Sequence, residues 1–407
     1  MTAPLSPSQE RQLPWLLAAV QFTHIMDFMI VMPLGPELMR LFGISAARLG
    51  ALVSVYTLAS AAMGLLGVFW LDRFDRKRTL LLLYAGFILS TLACGAAQGH
   101  VWLLLARTLA GACAGLMGAV VMAIIGDLVP AERRGRAIGT VMTSYGLSAV
   151  AGVPLGLALA SGWGWRTPFW AICGLSGLLW LWLLRTLPAV DRHLAEPREA
   201  SSRGSLASVW TPHLALGWVL TFTVVFASFL LIPYLGAFMV GNLGLRLAEL
   251  PWVYLCGGLA TFASARWIGQ LADRHGPSQV LAWLLVGTMG PHLLFTHLPV
   301  SPLPVVIGAF ALFMALTSSR AIPTIALVSS RVPPVLRGRY LAVNMAASDG
   351  ASGLAAWTSG LLITAAPEGA LTGFGLAGWI AVGVSACALG LLWTLGRSAV
   401  PLKAAPT

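Results

Sequence analysis

The chain has 407 residues, of which 58% are hydrophobic and only 10% are charged, and its mean hydropathy is +0.83. Soluble globular proteins carry about 25% charged and about 45–50% apolar residues. The composition therefore excludes a soluble enzyme, a disordered protein and a collagen-like fibre. It indicates a membrane protein built from many helices.

The net charge of +11 comes almost entirely from arginine. These arginines lie in short loops without a basic and aromatic nucleic-acid module, so we expect no nucleic-acid partner. The five cysteines lie in apolar runs without metal-binding spacing, which predicts neither a disulfide nor a metal or cofactor site. The amino terminus lacks a basic segment and a cleavage site, so the first apolar stretch is predicted to be retained as a membrane span.

Twelve segments approach the length of about 20 apolar residues that is needed to cross a bilayer. A polar stretch after the sixth segment predicts an N-terminal half of residues 1–187, a linker of residues 188–212 and a C-terminal half of residues 213–407. The predicted spans cover residues 14–34, 47–70, 79–98, 101–126, 136–160, 168–187, 213–240, 250–270, 279–298, 303–328, 337–363 and 371–394.

The basic residues predict the orientation of these spans. If the amino terminus is cytoplasmic, 19 of the 25 Lys and Arg residues fall on the cytoplasmic side, 4 on the outer side and 2 within spans. Cytoplasmic loops of membrane proteins carry an excess of Lys and Arg. Both termini are therefore predicted to be cytoplasmic, in a multi-pass protein of the plasma (inner) membrane.

Two loop patterns repeat in the two halves. Asp72-Arg73 recurs 201 residues later as Asp273-Arg274, and Arg134-Gly135-Arg136 recurs 203 residues later as Arg337-Gly338-Arg339. Repeats of six spans are typical of transporters, whose substrate site lies between the repeats near the membrane midplane.

The repeated loops carry a recognisable motif. The loop after span 8 reads GQLADRHG from Gly269 to Gly276, and the loop after span 2 carries a degenerate copy from Asp72 to Arg78. In that copy Val68 and Asp75 stand where the motif has glycines.

With two further motifs, the chain resembles the major facilitator superfamily, and more narrowly its twelve-span drug:proton antiporters and sugar-efflux permeases. Arg107 and Gly111 match the Arg-x-x-x-Gly signature of span 4, and a glycine pattern in span 5 resembles the antiporter motif without its Gly-Pro pair and final Gly-Gly. The resemblance covers nearly the whole chain. It implies an all-α membrane protein with the major facilitator fold, in which twelve transmembrane helices form two pseudo-symmetric six-helix halves. The span 5 pattern, which permits close helix approach and a bend, consists of Gly146, Gly152, Pro154 and Gly156.

The resemblance also implies a gate at the cytoplasmic loops. Asp72 is expected to contact the start of span 11, and Asp273 the start of span 5, where a helix N-terminus stabilises a carboxylate. Such a latch would hold one conformation closed and break in the other. The alternative is positive-inside charge without a gating role. The predicted gating residues are Asp72, Arg73, Arg76, Arg134, Arg136, Gly269, Asp273, Arg274, Gly276, Arg337 and Arg339.

Two charges lie deep within spans 1 and 4. Asp27 lies about 20 Å into span 1 at 1.5 Å per residue, and Arg107 lies about 9 Å below the outer end of span 4. In a core about 30 Å thick these depths nearly coincide. An unpaired acid there costs about 2.5–3.5 kcal/mol, so we expect Asp27 to pair with Arg107, with both facing one central cavity. His24 lies on the same face of span 1 as Asp27.

Other polar residues within the spans are candidates for proton coupling or substrate binding. Asp349 lies about 18 Å above the cytoplasmic end of span 11. Arg320 in span 10 could approach it only by snorkelling, or could lie near the cytoplasmic surface. Gln21 and Asn344 could line the cavity or bridge helices. The predicted proton-coupling set is Asp27, Arg107, Asp349 and His24, and the predicted substrate-binding set is Phe22, Met26, Gln21, Asn344 and Arg320.

These features favour a monomeric secondary transporter that exports a small amphipathic compound, such as a drug or a sugar-like metabolite, in exchange for protons. Burial favours a protonated Asp27 and nearby Arg107 favours the ionised form, so a change in their separation would change proton affinity. Uptake or facilitated diffusion by the same fold is the alternative within transport, and a non-transporting receptor is an alternative of another class. Nucleophile–base pairs, phosphate loops and metal clusters are absent from the sequence, so an enzyme is not expected.

Overall fold

The computed structural model describes residues 7–191, 210–366 and 369–397. Most of the predicted linker lies outside these residues. The basic residues Arg192, Arg198, Arg203 and Lys403, which enter the predicted orientation, lie outside them as well.

Twelve long helical segments occur within the described residues and are consistent with the predicted spans, whose numbers they keep. Span 1 breaks after Ile30 and resumes at Gly35, and span 10 is interrupted at Arg320. The N-terminal half contains Pro7–Ile30 with Gly35–Phe42 (span 1), Ala46–Trp70 (span 2), Arg76–Gly95 (span 3), His100–Leu128 (span 4), Ala131–Leu147 with Val153–Trp163 (span 5) and Thr167–Thr186 (span 6). The C-terminal half contains Pro212–Phe229 with Leu235–Gly241 (span 7), Leu250–His275 (span 8), Pro277–Thr296 (span 9), Leu303–Ser319 with Ala321–Ser330 (span 10), Pro334–Leu362 (span 11) and Phe374–Arg397 (span 12).

Short elements join or interrupt the spans. A π-helical turn, Ser148–Gly152, lies within span 5, and two short antiparallel strands, Thr364–Ala365 and Leu371–Thr372, lie between spans 11 and 12. Single 3₁₀ turns occur at Leu71–Arg73, Ile232–Tyr234 and Leu247–Glu249.

Ten of the helices in the described residues are long and apolar enough to cross a membrane. Spans 8 and 11 are not among the ten, although they are 26 and 29 residues long. Each carries three charged side chains, which lower its hydropathy. These are Arg266, Asp273 and Arg274 in span 8, and Arg337, Arg339 and Asp349 in span 11.

Glycines bring spans 2 and 4 to backbone contact in the N-terminal half. A Cβ atom on Gly111 would collide with the backbone carbonyl of Tyr56, and one on Gly115 would collide with that of Ser60. Small residues permit this close approach of membrane helices. The glycine of the Arg-x-x-x-Gly signature therefore has a packing role directly beside Arg107.

The two halves are joined on the side opposite the arginine-rich loops, which we call the opposite side. The Tyr234 hydroxyl of span 7 donates to the carbonyl oxygens of Ala46 (3.2 Å) and Ala356 (3.0 Å), in spans 2 and 11. The Ser54 hydroxyl of span 2 donates to the carbonyl of Gly353 in span 11 at 2.8 Å. These bonds hold the halves together on the opposite side.

We predict that Gly111→Ala lowers the free energy of unfolding by about 1–3 kcal/mol, the usual cost of overpacking. Gly126→Ala is the matched control on the same helix, because nothing lies within 4 Å of a Cβ at that position. It should be neutral or stabilising by up to about 1 kcal/mol through helix propensity. Thermal unfolding of both variants in detergent checks this, and equal melting temperatures would contradict the proposed contact between spans 2 and 4.

Candidate functional site

An ion pair between spans 1 and 4 lies at the centre of the N-terminal half. Arg107 Nη1 donates to Asp27 Oδ2 at 2.6 Å and to the Asp27 carbonyl oxygen at 3.0 Å. Thr91 Oγ1 of span 3 donates to Asp27 Oδ1 at 3.4 Å. Neither charged side chain has any exposed surface. The structure thus forms the pair that the matching depths predict.

Aromatic rings enclose this pair. The guanidinium carbon of Arg107 lies 4.2 Å from the centroid of the Tyr56 ring, and Phe28 stacks on Tyr56 with a centroid distance of 5.2 Å. A cation above a tyrosine ring gains about 2 kcal/mol or more when it is desolvated. Arg107 Nε and Nη2 have no hydrogen-bond partner. These two buried donors are therefore free to bond a group that approaches when the helices rearrange.

The expectation that Asp27 and Arg107 face one central cavity is wrong for this conformation. Both side chains are fully buried, because Tyr56 covers the guanidinium and Thr91 approaches the free carboxylate oxygen. Proton exchange at Asp27 therefore requires a rearrangement of the groups that cover it.

The remaining candidates on span 1 pack against one another and against span 5. His24 Nε2 and Gln21 Oε1 form a short hydrogen bond, and Tyr56 donates to the His24 carbonyl at 3.3 Å. Gly152 provides space for Phe22 and Met26. Met26 is only 7% exposed, so it packs between helices here, whereas Phe22 is partly exposed.

Span 5 is irregular where its glycines and proline cluster. The π-helical turn ends at Gly152, and Pro154 follows in the first turn of the next helical segment. A Cβ atom on Gly146 would contact Phe262 of span 8, and one on Gly156 would contact Ile30 of span 1. The small residues therefore let span 5 approach both halves of the molecule.

Asp349 lies at the interface between the halves. Ser60 Oγ of span 2 donates to Asp349 Oδ2 of span 11 at 2.7 Å. Tyr56 lies within electrostatic range of Asp349, of the Asp27–Arg107 pair and of Tyr145 in span 5. Tyr56 thus experiences the charges of both the buried pair and the carboxylate at the interface.

Arg320 does not approach Asp349, and it does not lie at the surface. It is fully buried in the C-terminal half, where Nη2 donates to Ser228 at 2.5 Å and Nη1 lies 3.4 Å from the hydroxyls of Thr288 and Ser385. Both suggested positions for Arg320 are wrong, because this side chain points into its own bundle and bonds to spans 7, 9 and 12.

Asn344 bridges two helices. It accepts a hydrogen bond of 2.8 Å from Thr221, which joins spans 7 and 11. It is only 4% exposed, so it does not line a wide cavity in this conformation.

The loop between spans 2 and 3 is anchored within its own half. Arg76 Nε lies 3.4 Å from Asp127 Oδ2 at the end of span 4. Asp75, which replaces a motif glycine, accepts a hydrogen bond of 2.7 Å from the Arg78 backbone and one of 2.9 Å from that of Val190. This N-cap explains why an acid is useful at that position.

The latch predicted for Asp273 is not formed in this conformation. Asp273 is exposed and makes no ion pair within the described part of the chain, and Arg134 instead donates to the Val129 carbonyl at 2.9 Å. Gly276 has φ +86°, which favours glycine at the turn into span 9. The side chain of Asp72 lies outside the described residues, so its predicted contact with span 11 stays a prediction. Arg73, Arg136, Arg274 and Arg337 are exposed, and Arg339 is partly exposed.

The fold and the motifs are matched by a known family. A family model described as Major Facilitator Superfamily matches residues 17–233, more than half of the chain. This chain belongs to the Major Facilitator Superfamily. It is therefore a multi-pass membrane transporter for a small molecule and not an enzyme, which confirms the resemblance found in the sequence.

Curated relatives match this transporter along most of their length. The chain is 29% identical over 379 residues to the chloramphenicol resistance protein of Streptomyces lividans, covering 87% of this chain and 94% of that protein. It is 27% identical over 366 residues to the uncharacterized MFS-type transporter YceJ of Bacillus subtilis, covering 88% and 92%. It is 25% identical to the chloramphenicol efflux pump Rv0191 of Mycobacterium tuberculosis, covering 87% and 86%.

Solved structures share the fold. A bacterial homologue of the human lysosomal transporter Spinster, in an inward-facing and occupied conformation, matches with a TM-score of 0.79 at 17% identity, over 99% of this chain and 100% of that chain. A D-xylose–proton symporter matches with a TM-score of 0.76 at 19% identity, over 96% and 98%.

We predict that Arg107→Gln strongly destabilises the transporter, because an unpaired buried charge costs about 3–5 kcal/mol. Asp27→Asn in the same chain removes that unpaired charge. The double variant should therefore be more stable than Arg107→Gln alone, as measured by thermal unfolding in detergent. If the losses of stability in the two single variants simply add in the double variant, the two side chains do not interact energetically.

Proposed function

We propose that this transporter exports a small amphipathic compound in exchange for protons by alternating access. The observation that carries the proposal is the fully buried contact of 2.6 Å between Arg107 and Asp27. A carboxylate in this position has only two low-cost states, which are ionised beside the cation or neutral away from it.

The coupling follows from these two states. The bond of Arg107 to Asp27 is strongest when the carboxylate is ionised, which corresponds to the conformation that is closed on the opposite side. Protonation weakens the attraction and favours separation of spans 1 and 4. A proton taken up while the protein is open to the outside would then be released towards the cytoplasm as the pair forms again.

We assign the arginine-rich side to the cytoplasm, both termini to that side, and the protein to the inner membrane as a monomer. In the outward-open conformation, Asp72 and Asp273 would contact the starts of spans 11 and 5. The exposed position of Asp273 in the present conformation supports a latch that breaks when the cytoplasmic side opens.

The first compound to test is chloramphenicol, since relatives covering most of the chain are named for its efflux or resistance. Half-exposed Tyr145, within electrostatic range of Asp349, offers aromatic surface, and partly exposed Phe22 offers more beside span 5. An aromatic wall with a few polar groups suits a neutral amphipathic molecule. We therefore include neutral drugs, amphipathic cations and sugars beside chloramphenicol.

We predict compound-dependent proton flux in liposomes that contain the purified transporter and an internal pH-sensitive dye. Asp27→Asn should reduce this flux at least about tenfold, because an amide cannot exchange a proton. Glu37→Gln, which removes an acid outside the buried site, is the control and should transport normally.

The outcomes separate the alternatives. Movement of a compound without proton flux would indicate facilitated diffusion. Proton flux in the same direction as the compound would indicate uptake. Undiminished coupling in Asp27→Asn would contradict the role of Asp27, and Asp349→Asn then tests the second acid.

A further inference from the structure

Arg320 is a buried cation that lacks a carboxylate partner. Its side chain has no exposed surface, and within the described residues no acid lies within ion-pair distance of it. Its hydrogen bonds go to Ser228 at 2.5 Å, to Thr288 and Ser385 at 3.4 Å, and to the Thr317 carbonyl at 3.3 Å. A charged side chain within a membrane bundle is costly unless it is neutralised.

The N-terminal half neutralises its own buried arginine with a carboxylate, although Arg107 and Arg320 do not occupy matching positions of the repeat. Ser228 follows Asp27 by 201 residues, which is the interval that relates Asp72 to Asp273. Arg107 contacts Asp27 on the first span of its half, and Arg320 contacts Ser228 on the first span of the other half. The C-terminal half thus has a hydroxyl where the N-terminal half has a carboxylate.

The groups around Arg320 are suited to a small anion. The hydroxyls of Ser228, Thr288 and Ser385 converge from spans 7, 9 and 12. Each also donates to a carbonyl of its own helix, at 3.2, 3.1 and 2.8 Å. A hydroxyl rotates freely to suit its partner, so each can turn its proton from that carbonyl towards an anion beside the guanidinium.

A further buried polar side chain lies beside this cluster. His292 is fully buried one helical turn from Thr288, on the same face of span 9. Its Nε2 lies 3.3 Å from the Thr317 hydroxyl, and its Nδ1 has no hydrogen-bond partner. Buried polar atoms are almost always partnered, so the orphaned nitrogen is a second sign of a polar ligand at this place.

We propose that Arg320, Ser228, Thr288 and Ser385 bind one small monovalent inorganic anion, for which chloride is the test ion. The anion supplies the negative charge that Asp27 supplies in the N-terminal half. Because hydroxyls surround the guanidinium at 2.5–3.4 Å and all four side chains are at least 92% buried, the site suits a compact anion and excludes a large organic one.

The experiment is thermal unfolding of the purified transporter in detergent, with sodium chloride titrated against sodium gluconate at constant ionic strength. We expect the melting temperature to rise by several degrees and to saturate with chloride, since a ligand that binds only the folded state stabilises it by mass action. Bromide should replace chloride, whereas gluconate should have no effect.

The decisive variant is Ser228→Asp, which places a carboxylate beside Arg320 as Asp27 lies beside Arg107. It should fold and lose the response to chloride. Ser228→Ala keeps the charge of the site unchanged and should retain the response with weaker affinity. A wild-type melting temperature that is equal in chloride and gluconate, or a Ser228→Asp variant that responds to chloride like the wild type, would overturn the proposal. Neither result depends on the transport assay.

Discussion

The contact between Arg107 and Asp27 constrains the N-terminal half more than any other interaction. Two opposite charges without exposed surface tie span 1 to span 4 at 2.6 Å, and removing either charge leaves the other in an environment of low polarity. Gly111, one turn from Arg107, lets span 2 approach closely enough for Tyr56 to cover the guanidinium. The two residues of the Arg-x-x-x-Gly signature therefore act together. Gly111 allows the backbones of spans 2 and 4 to approach, and this approach places the Tyr56 ring over the guanidinium of Arg107.

The two halves use their buried arginines differently. Asp27 can accept a proton, whereas Ser228 at the equivalent position cannot change charge in the physiological range. In our proposal, proton exchange therefore takes place in the N-terminal half, and the charge of the buried site around Arg320 in the C-terminal half does not change with pH in the physiological range. Asp349 bonds to Ser60 across the interface, so a second titratable group lies where relative movement of the halves would change its surroundings.

The sequence predicted the twelve spans, the paired loops and the depth match of Asp27 with Arg107, because hydropathy, basic loops and helical rise depend on local residues alone. It did not predict that Tyr56 covers the guanidinium of Arg107 or that Ser60 is the hydrogen-bond partner of Asp349. Those contacts depend on how spans 2 and 11 cross, which no local pattern encodes. The position of Arg320 was missed for the same reason, since residue depth does not show which way a side chain points.

The most direct test of the central claim measures the distance between the halves as pH changes. Nitroxide labels on exposed Gln98 and Val300, on the opposite side, would report opening in a background that lacks the five cysteines. Double electron–electron resonance should give a short distance between the two labels at high pH, where Asp27 is ionised, and a longer distance at low pH. Asp27→Asn should give the long distance at both pH values. A variant whose distance follows pH as the wild type does would contradict the account.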